Sequence, residues 1–257
     1  MDNANEHVTT NREYWNGKAH GWVAAGERAW AAAEPSWGIW NVPESELRLL
    51  PIDMRGMKAV ELGCGTGYVS GWMARRGADV TGIDVSDEQL ATARRLAQQH
   101  GSNVKLVHGN AESTPFEDES FDFAISEYGA AIWCDPHVWI PEAHRILKPG
   151  GRLRFLGNHP LTFVFSPPDG SALVRELQRP YFGIHKMDWS EVEFDPGGVE
   201  FNLTMQGWIE LFVATGFVVE GYKEPRPSRP AGEERFFVTD EWAASWPSEQ
   251  VWYLRKA

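Results

Sequence analysis

Apolar and polar positions follow two rhythms along the chain, and the switch from one to the other recurs. Residues 57–62 (MKAVEL) form a short strand-like run that enters a glycine turn, and YVSGWMARRG after it has helical spacing up to Gly77. The unit repeats. DVTGIDVS is strand-like up to Asp84, and SDEQLATARRLAQQHG reads as a helix with Ser86 as N-cap, Glu88 and Gln89 in its first turn and Gly101 at its end. VKLVHGNA gives a third strand and FDFAISEY a fourth. The segment PHVWIPEAHRILKPGG reads as a helix stopped by Pro149-Gly150-Gly151, and RLRFLGN as a fifth strand.

After Asn158 the rhythm breaks. Residues 159–203 hold Pro160, Pro167, Pro168, Pro180 and Pro196 among aromatics, the composition of an irregular lid or a small strand pair. TMQGWIELFVATGF then restores a helix, VVEGYKE a strand, and EQVWYLRK a last strand that closes an antiparallel pair. Repeated strand-then-helix units with right-handed crossovers predict an α/β fold. The prediction is a Rossmann-like, doubly wound, mostly parallel seven-stranded sheet with an antiparallel last strand and an irregular lid insertion. A length of 257 residues suits one domain over 1–257, with residues 1–50 as an N-terminal helical cap and 159–203 as a lid and substrate insertion.

Composition narrows the partners. Acidic residues number 36 against 24 basic ones, a formal charge of −12, which disfavours a grip on a nucleic-acid backbone. Cys64 and Cys134 are the two cysteines, with no CxxC pair, so neither a disulfide framework nor a cysteine-rich zinc site is expected, and a reducing, cytoplasmic setting fits. No export signal and no apolar run of about 18 residues appears, so no membrane partner is expected. A monomer or a homodimer is compatible with all of this. Five of the 13 tryptophans (Trp15, Trp22, Trp30, Trp37, Trp40) lie in the first 40 residues, where they serve either core packing or a pocket for a flat or cationic ligand.

The stretch VELGCGTGYVS places glycines at 63, 65 and 67, with Cys64 between the first two. Such spacing lets the chain turn sharply and bring backbone N–H groups against a ligand at a helix N-terminus. A dinucleotide fingerprint would place its third glycine at position 68, which is Tyr68. Glu61, two residues before the first glycine, sits badly with a pyrophosphate and suits a positively charged ligand. Asp84, closing the second strand, stands where an acid accepts the two hydroxyls of a ribose. Asn110, Ala111 and Glu112 end the third strand with polar edges suited to an adenine ring.

In this order and spacing, VELGCGTGYVS, GIDVSDEQL, GNAESTPFEDESFDFAISEY and RILKPGGRL resemble the motif series of class I S-adenosylmethionine-dependent methyltransferases, in the branch of quinone-biosynthesis and other small-molecule enzymes. The resemblance covers residues 57 to 158 well and the tail loosely. It implies S-adenosylmethionine as cofactor. It further implies that Glu61 orients the methionine amino group, that Gly63, Cys64, Gly65 and Gly67 form the loop, and that Asp84 holds the ribose. Val85 would pack on the adenine, Asn110, Ala111 and Glu112 would flank its amino edge, and Glu127 would stand beside the transfer site. EYWNGKAHGW is similar to the leading helix that covers the cofactor in many of these enzymes, which makes Tyr14, Trp15 and Trp22 lid candidates.

Methyl transfer needs alignment and a dry pocket, and no metal; a hydroxyl or ammonium acceptor also needs a base. His137, after the fourth strand, His159, after the fifth, and Glu127 are the candidates for that base. Trp37, Trp40, Tyr128, Trp133, Tyr181 and His185 are candidate walls of the acceptor pocket, with Phe163, Phe165, Phe182 and Trp189 beside them. A cavity so lined suits a small aromatic or hydrophobic acceptor. Two other readings remain beside methyl transfer: a non-catalytic cofactor-binding or regulatory module, and a nicotinamide oxidoreductase on a similar sheet.

Overall fold

The computed structural model describes residues 6–194, 196–227 and 234–257. The first five residues of the expected 1–50 cap and residue 195 of the expected insertion lie outside the described residues.

The chain opens with a long helix, α1 (Glu6–Ala31), then a hairpin of β1 (Ser36–Trp37) and β2 (Val42–Pro43) and a single turn, α2 (Glu44–Leu47). The alternating core follows: β3 (Lys58–Leu62), α3 (Tyr68–Arg75), β4 (Asp79–Asp84), α4 (Asp87–Gln99), β5 (Lys105–His108) and β6 (Phe121–Glu127). Two helices, α5 (Ala130–Trp133) and α6 (Pro136–Ile146), lead to β7 (Leu147–Asn158) and α7 (Pro160–Phe165). A strand pair, β8 (Lys186–Asp188) and β9 (Val199–Phe201), precedes α8 (Met205–Thr215) and β10 (Phe217–Lys223). The tail carries a second small hairpin, β11 (Glu234–Arg235) and β12 (Val238–Thr239), then α9 (Asp240–Ala243) and β13 (Glu249–Lys256).

Seven strands form one sheet in the order β10-β13-β7-β6-β3-β4-β5. β7, β6, β3, β4 and β5 run parallel, while β13 lies antiparallel between β7 and β10. The predicted sheet, with its antiparallel last strand, is therefore the observed one. Residues alternate between its two faces, as the pleat requires. Ala59, Phe123 and Ile125 enter one core with Trp72 and Met73 of α3, while Val60, Leu62 and Ala124 enter the other with Trp139 of α6 and Trp208 and Phe212 of α8.

Local signals account for the helix ends. The Ser86 hydroxyl accepts from the Gln89 amide and caps α4, and Thr204 does the same for α8 through Gly207. One boundary differs from expectation. Pro149, Gly150 and Gly151 do not precede the fifth strand but bulge out within it, because Leu147 already pairs with Phe121 before Arg152 pairs with Phe123.

Candidate active site

β3 and β4 end side by side, and their loops carry the first half of the site. Gly63, at φ +75°, is pressed against the next crossover, where a Cβ would stand 2.6 Å from the Gly129 Cα. The Gly65 amide donates to Asp84 Oδ2 at 2.7 Å, and the Ser86 amide donates to Oδ1 at 2.8 Å. The loop and the acid are thus held in register by each other. Glu61 accepts from both the amide and the hydroxyl of Ser70 through Oε2, at 2.7 and 2.5 Å. Burial pushes its carboxyl up to about 8, helped by the nearby charges of Glu127 and Asp84 and opposed by the Ser70 bonds. Asp84 and Glu127 are also raised above the ordinary carboxylate range by burial.

A cavity of about 600 Å³ opens above these strand ends. This is where an open α/β sheet binds its ligand. Glu61, Gly63, Cys64, Gly65, Asp84, Val85, Asn110, Ala111 and Glu127 line its floor, together with Gln89, whose buried Oε1 has no hydrogen-bond partner. Tyr14, Trp15 and Trp22 of α1 line it from above, with Trp133 of α5. Trp15 and Trp133 meet edge to face at 5.2 Å, and Trp22 stacks on Phe236 at 5.7 Å. Gly38 and Ile39 of the first hairpin close one wall. Their amides donate to Glu127 Oε1 and to Glu249 Oε1, both at 2.9 Å. Tyr68 hydrogen-bonds the other oxygen of Glu127, and Tyr128, in left-handed backbone at φ +55°, donates to Glu249.

Several expectations are corrected. Trp37 is fully buried, packs edge to face on Trp72 and donates to Glu44, so it is core and not cavity wall. Trp40 is buried too, its Nε1 donating to Ser248. Tyr181 lies outside the lining, its hydroxyl accepting from the Met205 amide at the start of α8. Phe165 packs in the core on Trp242, and Phe182 is exposed. The three histidines are absent from the lining as well. His159 Nδ1 accepts from the Leu161 amide and caps α7, and burial lowers its pKa to about 4. His137 is exposed, with its ring 5.5 Å from that of His185, and His185 bonds Asp135 at 3.0 Å. Glu112 turns away from the cavity to bond His7 and to accept from the Asp135 amide. Gly67 lies behind the loop as the left-handed cap of α3, where a Cβ would stand 3.2 Å from the Ala93 Cβ.

Phe163 and Trp189, expected beside the acceptor pocket, line the cavity. Asn11, Glu200, Phe236 and Phe237 line it as well, carried no sequence signal and reach it through long-range packing, and Gln89 joins them from the first turn of α4. Among them, Gln89 follows the capping Ser86 by one helical turn, and that spacing marks it as facing the same strand end.

Residues 60–155 match the family model described as a methyltransferase domain. The ubiquinone biosynthesis O-methyltransferase of Ruegeria pomeroyi is 31% identical over 165 residues, 63% of this chain and 64% of that protein. The demethylmenaquinone methyltransferase of Staphylococcus aureus is 42% identical over 101 residues, 38% of this chain and 41% of that one. The chain thus spans less than two thirds of the length of the curated relatives it matches. Among solved structures, an S-adenosylmethionine-dependent methyltransferase of Mesorhizobium loti superposes with a TM-score of 0.67 at 24% identity, covering 85% of this chain and 100% of that one. A 1,6-didemethyltoxoflavin-N1-methyltransferase of Burkholderia thailandensis superposes at 0.58 with 17% identity, over 100% of this chain and 92% of that one. The ordered motifs, the sheet order and these matches agree: residues 60–155 are a methyltransferase domain, and the chain around them has the fold of S-adenosylmethionine-dependent methyltransferases.

Proposed function

We propose that the chain transfers a methyl group from S-adenosylmethionine to a small aromatic or hydrophobic molecule by in-line displacement. One observation carries the reading: a single cavity runs from the glycine loop and Asp84 to the aromatic cover of Tyr14, Trp15 and Trp133. Donor and acceptor would share one enclosed space there.

The residues suit the donor. The Asp84 carboxylate, fixed by Gly65 and Ser86, has lone pairs left for two ribose hydroxyls, and the orphaned Gln89 Oε1 lacks a donor such as those hydroxyls supply. Val85, Asn110 and Ala111 would border the adenine. Glu61, buried beside two further acids, would be relieved by the donor's ammonium group. When bound, the donor supplies an electrophilic methyl on a sulfonium. The chain's own contribution is alignment and exclusion of water, which in well-oriented reactions is worth on the order of 7–11 kcal/mol. Two free cysteines support a reducing, cytoplasmic setting, and charged lining residues that are all acidic among the described residues support a small acceptor over a nucleic acid, for a monomer or homodimer.

Isothermal titration calorimetry tests the reading. S-adenosylhomocysteine should bind with one-to-one stoichiometry and NAD should give no heat; the opposite pattern would sink it. Product formation on a metabolite panel then separates an enzyme from a binding module.

A further inference from the structure

Among the described residues, Glu200 is the one cavity carboxylate that does not stand on the large sheet. It sits in the middle of β9, paired across the small ribbon with Met187, and lines the cavity from the side of the lid. Its Oε2 accepts from Asn158 Nδ2 at 3.2 Å, and the Trp189 side chain also hydrogen-bonds the carboxylate. Asn158 ends β7, the strand whose Leu156 pairs with Glu127 on β6. The carboxylate is therefore held one strand over from Glu127, on the acceptor side of the glycine loop.

The charges of this cavity all have one sign. Glu61, Asp84, Glu127 and Glu200 line it, and no lysine, arginine or histidine among the described residues does. An acceptor that turns anionic on its way to reaction, such as a phenol becoming phenolate, finds no cation among the described lining residues, the guanidinium groups of Arg179 and Arg235 being turned to the Ser166 and Ile39 carbonyls. An acceptor that turns cationic finds the Glu200 carboxylate in a wall that also holds Trp133 and Trp189. Burial raises the Glu200 carboxyl to about 7, close to what a proton-accepting group near neutral pH requires.

From this we infer that the acceptor atom is a basic nitrogen on an aromatic molecule, and that Glu200 binds that nitrogen and takes its proton. The inference rests on the methyl-transfer reading above. The balance is simple. Bound as its ammonium, the nitrogen first gives one proton to the Glu200 carboxylate, which frees its lone pair. That lone pair forms the new N–C bond, the S–C bond breaks with its electron pair left on sulfur, and the positive charge passes from sulfur to the methylated nitrogen, while the proton held by Glu200 passes to solvent.

The test uses the full chain saturated with S-adenosylhomocysteine and two matched probe pairs, tryptamine with tryptophol and phenethylamine with 2-phenylethanol, titrated at pH 7.5. Each amine should bind at least about tenfold tighter than its alcohol, and Glu200→Gln should shrink that preference to about twofold while leaving S-adenosylhomocysteine affinity within about twofold. Equal or weaker binding of the amines, no binding of any amine, or a preference that survives Glu200→Gln overturns the inference. The amine and alcohol comparison on the unaltered protein decides the matter even where the variant does not fold. Failure of S-adenosylhomocysteine to bind the unaltered protein would instead overturn the methyl-transfer reading beneath it.

Discussion

The side chain of Asn11 forms a two-way bond with the backbone of Val199: its Nδ2 donates to the Val199 carbonyl at 2.9 Å, and its Oδ1 accepts from the Val199 amide at 2.6 Å. A further bond runs from Nδ2 to the Trp133 carbonyl at 3.0 Å. One buried amide therefore ties α1, α5 and the lid ribbon into one cover over the cavity. Asn11→Ala would leave backbone groups of β9 buried without partners, and the expected loss of stability is about 2–4 kcal/mol. Urea unfolding followed by tryptophan fluorescence measures it, and a change under about 0.5 kcal/mol would show that the cover is held elsewhere.

Gly63 and Gly65 should respond differently to the same methyl group. At Gly63 a Cβ would meet Gly129 at 2.6 Å in left-handed backbone, so Gly63→Ala should destabilise the fold by about 2–4 kcal/mol. At Gly65, φ is +49° but nothing lies within 4 Å of the Cβ position. Gly65→Ala should therefore cost only about 1–2 kcal/mol of stability, while weakening S-adenosylhomocysteine by about tenfold or more. Thermal unfolding and calorimetry on the same two proteins separate the effects.

Glu61 gives donor binding a proton signature. Its carboxyl, pushed up to about 8, is mostly protonated at pH 7 in the free protein. A ligand ammonium placed beside it favours the ionised form, so binding at pH 7 should release up to about one proton, and none by about pH 10. Calorimetry in buffers of different ionisation enthalpy counts the protons. Persistence of the full release in Glu61→Gln would assign it to another group.

His159 sets an acid limit on stability. Its ring titrates at about 4 in the folded chain against 6.5 in the reference state, so folding holds it neutral and the unfolded chain takes up the proton first. The associated stability is fully present above pH 6.5 and is lost as pH falls toward 4, by up to about 3 kcal/mol. His159→Asn keeps an acceptor for the Leu161 amide and should flatten that slope between pH 4 and 6.5 without changing turnover. A large loss of turnover would return His159 to the chemistry.

The sheet and the donor side were legible because their signals are local. Strand alternation, the glycine stops and the Ser86 cap each act within a few residues, and Gly63, Gly65, Asp84, Asn110 and Ala111 follow directly from strand ends. The acceptor side was not, because its contacts join distant segments: Gly38 meets Glu127, and Asn11 meets Val199 across the whole core. Aromatic content announces burial but not the face a ring turns to, so Trp37 and Trp40 looked the same as Trp15 and Trp22. A histidine after a strand looks like a base whether it reaches the cavity or, as His159 does, caps a helix. Glu200 hid between Val199 and Phe201, in a ribbon whose fold depends on a helix far away in the chain.

β8 and β9 form a sheet of their own, paired with each other and not with the seven strands below. The Glu200 carboxylate thus rides on a ribbon that shares no ladder with the strands beneath the donor loop and is tied to the rest of the chain through side chains, Glu200 to Asn158 and Asn11 to the Val199 backbone. Substitutions on that ribbon act on the acceptor side through these two anchor points, as a tool head held on a handle by two pins.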